Sequence, residues 1–78
     1  MTQGDERVLE FLDEKDIVAS PSVIAANIDY TQEYISRRCR RLTEAGLLQR
    51  VDARNYRVTD LGEWYLAGEI DAEELETD

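Results

Sequence analysis

A chain of 78 residues is long enough for one compact domain and too short for two, because a chain this small buries only roughly 60% of its unfolded surface on folding. Its formal net charge is −9, from 18 acidic against nine basic residues, and that sum taken alone argues against a nucleic-acid binder, whose affinity depends on neutralising phosphates. With one cysteine and no histidine the chain can close no internal disulfide and complete no Cys/His zinc set, and it shows neither a leader pattern nor about 18 apolar residues in a row, so a soluble, cytoplasmic protein without a membrane span is expected.

Taken in order, the first apolar set is Val8, Leu9, Phe11 and Leu12. Its spacing predicts a helix over about Asp5 to Lys15, with Asp5 and Glu6 near the positive end. Ile17 and Val18, within Asp16 to Ala19, suit one short strand or an extended linker. Ser20-Pro21 starts a second helix, because Ser caps free amides and Pro fits the first turn; it should run to about Asn27. Thr31 caps a third helix, so only three or four residues join the second to the third, the spacing of a helix-turn-helix.

The third helix is expected over about Gln32 to Ala45, stopped by Gly46. Ile35, Cys39 and Leu42 form its buried stripe, and the opposite face carries Glu33, Ser36, Arg37, Arg40, Arg41 and Glu44. The period then changes. Leu47 to Val51 reads as a strand, Asp52 to Asn55 as a turn and Tyr56 to Thr59 as a second strand. Thr59 and Asp60 offer caps for a last helix from Leu61 to Ala67, whose Leu61, Trp64, Tyr65 and Leu66 can cover the core or a partner subunit. Glu69 to Asp78 holds six acids, so residues 68–78 are expected to form an acidic tail, frayed or helical, behind a domain of residues 1–67.

This order is that of a mainly α domain with a small β-hairpin: a winged helix-turn-helix, with a three-helix core, a wing and an additional C-terminal helix. The run Tyr34-Ile-Ser-Arg-Arg-Cys-Arg-Arg-Leu-Thr-Glu-Ala-Gly-Leu-Leu48 resembles the recognition helix of many bacterial and archaeal regulators, and Tyr56-Arg-Val-Thr-Asp-Leu-Gly62 resembles their last wing strand and next helix start. Eight of the nine basic residues are Arg and acids outnumber bases two to one, a composition similar to that of haloarchaeal proteins; an ordinary acidic bacterial domain is the alternative. Together these features resemble the short haloarchaeal winged-helix proteins that are similar to halophage repressors, over about Asp5 to Leu66. The resemblance implies sequence-specific binding of double-stranded DNA by a transcriptional regulator, a repressor in preference to an activator. A homodimer on two half-sites is expected, because one small module rarely buries enough surface for physiological specificity.

The objection from net charge is answered by where the charge lies. Residues 1–36 carry two bases and eight acids, net −6; residues 37–57 carry seven bases and two acids, net +5; residues 58–78 carry eight acids and no base, net −8. The basic third is the recognition helix and wing, and a local positive stripe on an acidic protein both attracts and orients DNA. The start of a recognition helix lies nearest base edges, which makes Thr31, Gln32, Glu33, Ser36 and Arg37 the candidates there: Arg37 for guanine, Gln32 for adenine, Glu33 for cytosine or for rejection of wrong sites. Arg40 and Arg41 suit phosphates, Arg54 at the hairpin tip suits the minor groove, Arg50 and Arg57 suit the flanking backbone, and Tyr30 and Tyr34 can donate to phosphate.

Plainer readings stand beside these. The arginines can be solvated or paired, Glu33 with Arg37 and Arg40 with Glu44. Cys39 fits a core thiol better than a redox sensor. Trp64 and Tyr65 fit core or dimer packing, with helix 1 and the last helix, around Phe11, as the expected dimer face. The tail fits a solvated surface better than an autoinhibitory one. No histidine, phosphate loop or nucleophile elbow is present, so neither catalysis nor a cofactor, metal or small-molecule ligand is expected. A winged-helix protein-interaction module that binds no DNA is the rival reading.

Overall fold

The computed structural model describes residues 2–68. The acidic tail expected over residues 68–78 therefore lies, apart from Gly68, outside the described residues.

Helix α1 spans Gln3–Lys15 and begins two residues earlier than its apolar spacing suggests. The reason is a capping box: the Thr2 hydroxyl accepts from the Asp5 amide at 3.1 Å while the Asp5 carboxylate accepts from the Thr2 amide at 3.2 Å. The helix ends on Asp16, in the left-handed region at φ 53°. The linker after it is extended, and Ala19 makes an isolated antiparallel bridge with Tyr56, each amide donating to the other's carbonyl at 3.1 and 2.9 Å. Helix α2, Pro21–Ile28, is capped by the Ser20 hydroxyl at 3.3 Å from the Val23 amide. Asp29, at φ 63°, turns the chain through Tyr30 to Thr31, whose hydroxyl caps α3, Gln32–Glu44, by accepting from the Tyr34 amide at 3.2 Å.

Gly46, at φ 86°, redirects the chain into the hairpin, a backbone angle that favours glycine. Strands β1, Leu48–Arg50, and β2, Tyr56–Val58, pair antiparallel with Leu48 opposite Val58, Gln49 opposite Arg57 and Arg50 opposite Tyr56. Both are shorter than the apolar runs around them. Helix α4, Asp60–Leu66, is fastened to the hairpin by Thr59, which donates to the Gly46 carbonyl at 2.6 Å and accepts from the Gly62 amide at 3.1 Å.

The core draws Val8, Leu9 and Leu12 from α1, Ile24, Ala25 and Ile28 from α2, and Ile35, Cys39 and Leu42 from α3. Leu47, Leu48, Tyr56 and Ala19 close it from the hairpin side. Each fully buried Leu or Ile contributes roughly 1.5–3 kcal/mol relative to exposure. Phe11, Leu61, Tyr65 and Leu66 pack partly against this cluster, and Trp64 is half exposed. No helix among the described residues is long and apolar enough to cross a membrane.

Candidate nucleic-acid interface

Successive residues of a helix are turned by about 100°, so the inward stripe of Ile35, Cys39 and Leu42 leaves Gln32, Ser36 and Arg40 on the flank that faces the wing. Those three side chains line a groove of about 650 Å³ with Ser20, Pro21 and Ser22 at the start of α2, and with Arg50, Ala53, Arg54 and Tyr56 of the hairpin. Three arginines, one from α3 and two from the hairpin, thus line one concavity whose lining has no carboxylate. That arrangement suits a polyanion, and the Ser22 and Ser36 hydroxyls and the Gln32 amide, which belong to lining residues, can make directional hydrogen bonds.

Arg37 is exposed on the crest of α3 beside this flank, with Glu33 one turn earlier. Neither Glu33 with Arg37 nor Arg40 with Glu44 closes to ion-pair distance. Arg41 is exposed on the other flank. Thr31 is exposed, but its hydroxyl is used by the α3 cap.

The wing tip is tied by its own polar groups. The Asp52 carboxylate accepts from the Arg54 amide at 2.8 Å, from the Asn55 amide at 2.9 Å and from the Asn55 side-chain nitrogen at 2.9 Å. These bonds, the Arg54 amide foremost, hold its carboxyl below the usual aspartate value. Arg50 donates to the carbonyls of Asp52 at 3.2 Å and Ala53 at 2.6 Å. It therefore braces the tip while also lining the groove.

Two expected contacts are placed elsewhere. Tyr34 is half buried and stacks on Tyr30 with ring centroids 5.4 Å apart. Its hydroxyl lies 3.2 Å from that of Thr2, which ties α3 to the cap of α1. Arg57 leaves β2 on the opposite face from Tyr56, as the two-residue period of a strand requires, and lines a second recess with Leu12, Ile17, Val18 and the acids Asp16 and Glu63.

One residue of the basic run has a role that its charge does not reveal. Arg38 donates from Nε to Asp5 Oδ1 at 2.6 Å and from Nη2 to Oδ2 at 2.7 Å, a two-pronged pair between α3 and the first turn of α1. Asp5 is 1% exposed. A signal exists in the sequence: Asp5 stands in register with Val8, Leu9 and Leu12 at i, i+3, i+4 and i+7, a carboxylate in the apolar stripe. Burial pushes its carboxyl up, but the Arg38 and Thr2 hydrogen bonds and the Arg38 charge together hold it below the ordinary value.

Cys39 is fully buried and is a core thiol, as its stripe position implies. Burial, with the nearby Asp5 charge, pushes it up to about 12, so native protein at pH 8 should resist iodoacetamide and react only when unfolded. Alkylation of the folded protein at the rate of free cysteine would contradict that placement. No group of three His, Cys, Asp or Glu among the described residues could hold a metal ion.

A three-helix core, a hairpin bridged back to the α1–α2 linker and a polar helix flank facing that hairpin define a winged helix-turn-helix domain. The model of the family described as winged helix-turn-helix phage repressor matches residues 1–78, and the chain belongs to that family. It is similar to the repressor protein of Halobacterium phage phiH, 39% identical over 80 residues that cover 97% of this chain and 90% of the phage protein. Among solved structures it resembles the PhiH1 repressor-like protein from Haloarcula marismortui, with TM-score 0.83 and 35% identity over 92% of this chain and 83% of that one. The MarR family transcription regulator SP03579 shares the fold, with TM-score 0.76 and 22% identity over 96% of this chain and 62% of that one. The acidic, arginine-biased composition fits these haloarchaeal relatives.

Proposed function

We propose that the protein represses transcription by setting α3 into the major groove of double-stranded DNA and the wing tip against the adjoining backbone or minor groove. Membership of the phage repressor family makes it a DNA-binding transcriptional regulator; the residues and the mode of contact are our reading. One observation carries it: Arg40, Arg50 and Arg54 converge with Gln32 and Ser36 on a groove without carboxylates, in a chain of net charge −9. Gln32, Glu33, Ser36 and Arg37 read base edges; Arg40, Arg41 and Arg50 hold phosphates; Arg54 enters the minor groove. Thr31 acts through the α3 cap and Tyr34 through the α1 cap. The protein works in the cytoplasm as a homodimer on two half-sites, since a single module of this size covers too little DNA.

The test is binding to genomic fragments selected by the wild-type protein, across a range of potassium chloride concentrations. Arg40→Ala and Arg54→Ala should each reduce the slope of log affinity against log salt by about 0.9. Arg37→Ala should cost about 1–3 kcal/mol and relax preference at one base pair. Wild-type affinity in all three variants would remove these DNA contacts and turn attention to an acidic protein surface as the ligand of the arginine groove.

A further inference from the structure

We propose that the recess around Ile17, Val18 and Arg57 is the face on which a second copy of this chain docks. This rests on the two-copy reading of the protein's function and gives it a location. Of the first candidates for such a face, Phe11 and Tyr65 pack against the core and Tyr65 donates to Glu6 at 3.0 Å, while Trp64, one residue after Glu63 on α4, stays 50% exposed.

Ile17 and Val18 are 39% and 50% exposed, adjacent, and held at both ends. Before them Asp16 fixes a left-handed turn and the Ile17 amide donates to the Leu12 carbonyl at 3.4 Å; after them Ala19 is bridged to Tyr56. The apolar step is presented by a fixed backbone and is left uncovered by the described residues. It lies in a recess of about 340 Å³ whose rim carries Arg57 with Asp16 and Glu63. Among the described residues, none of these three makes an ion pair.

An apolar centre bordered by both signs of charge is self-complementary about a two-fold axis, because the cation of one copy meets a carboxylate of the other. The two carboxylates repel DNA, and a partner of one dominant sign would leave half of the rim unmatched. The recess shares no lining residue with the arginine groove, so both copies can dock while both grooves stay open. Two chains of net charge −9 repel each other at low salt. At 1 M salt the screening length falls to about 3 Å, while apolar contact persists, so association should tighten as potassium chloride rises.

Sedimentation equilibrium of the full chain, from dilute to molar potassium chloride, tests this. Wild type should form dimers that tighten with salt. Val18→Asp and Arg57→Glu should each weaken self-association by about tenfold or more. Val23→Asp, which adds a charge at a residue 47% exposed on α2 outside the recess, should leave it unchanged, and circular dichroism checks that each variant is folded. If either recess variant associates like wild type, the dimer face lies elsewhere and this inference fails. A wild type that stays monomeric at every salt concentration overturns it together with the two-copy reading. DNA contact is scored separately by Arg54→Ala, which should not alter self-association.

Discussion

Replacing Asp5 by alanine should destabilise the folded protein by about 3 kcal/mol, the low end of what removing one member of a buried pair costs, because Arg38 keeps some access to water. The substitution leaves the Arg38 guanidinium without its paired carboxylate and strips the α1 cap of its reciprocal bond. Asp5→Asn should fall short of that loss, since an amide keeps the shape and some of the bonds. The pair also sets a pH dependence. Because the folded carboxyl titrates below its unfolded value of about 3.9, its contribution is fully present above that value and disappears as pH falls through the folded one. Melting temperatures measured from pH 6 downward at fixed potassium chloride should therefore drop more steeply below about pH 4 for wild type than for Asp5→Asn. Parallel curves would show that the pair contributes nothing through its charge.

The second large effect is expected at Gly62. A Cβ there would stand 2.5 Å from the Leu47 carbonyl oxygen and 2.6 Å from Val58 Cγ2, and the nearer obstacle is backbone that cannot turn aside. Gly62→Ala should cost about 2–3 kcal/mol, in the range of overpacking a filled interior. The clash falls where α4 crosses the hairpin, so α4 and the Thr59 bond to Gly46 should loosen before the α1–α3 core. Hydrogen exchange on the α4 amides reads this directly: uniform loss of protection over all helices would place the damage elsewhere.

Much of the fold is legible in the sequence because its punctuation is chemical. Ser20, Thr31 and Thr59 each cap the helix that begins after them, Gly46 ends the recognition helix region, and the stripe of Ile35, Cys39 and Leu42 names the buried side of α3. The start of α1 is harder to place, because the charge of Asp5 suits an exposed helix end while its position belongs to an apolar stripe. Arg38 is hidden for a related reason, since a run of arginines reads as one surface until a partner elsewhere in the chain is known. Arg57 is a different case. Strand alternation, with Tyr56 inward, already separates its face from that of Arg50, but the total charge of the segment carries no such distinction. Where Arg50 and Asp52 bond within the wing depends on turn geometry that composition does not encode.

That turn bears on how fast the protein can engage DNA. A loop closed by its own Asp52, Asn55 and Arg50 bonds is already in one shape before any encounter. On the proposed contact between wing tip and DNA, no folding step at the tip is required, and the association rate should be governed by diffusion and orientation alone. Freeing the loop with Asp52→Ala should slow the approach as well as weaken the complex, a delay visible in stopped-flow traces and absent from equilibrium titrations.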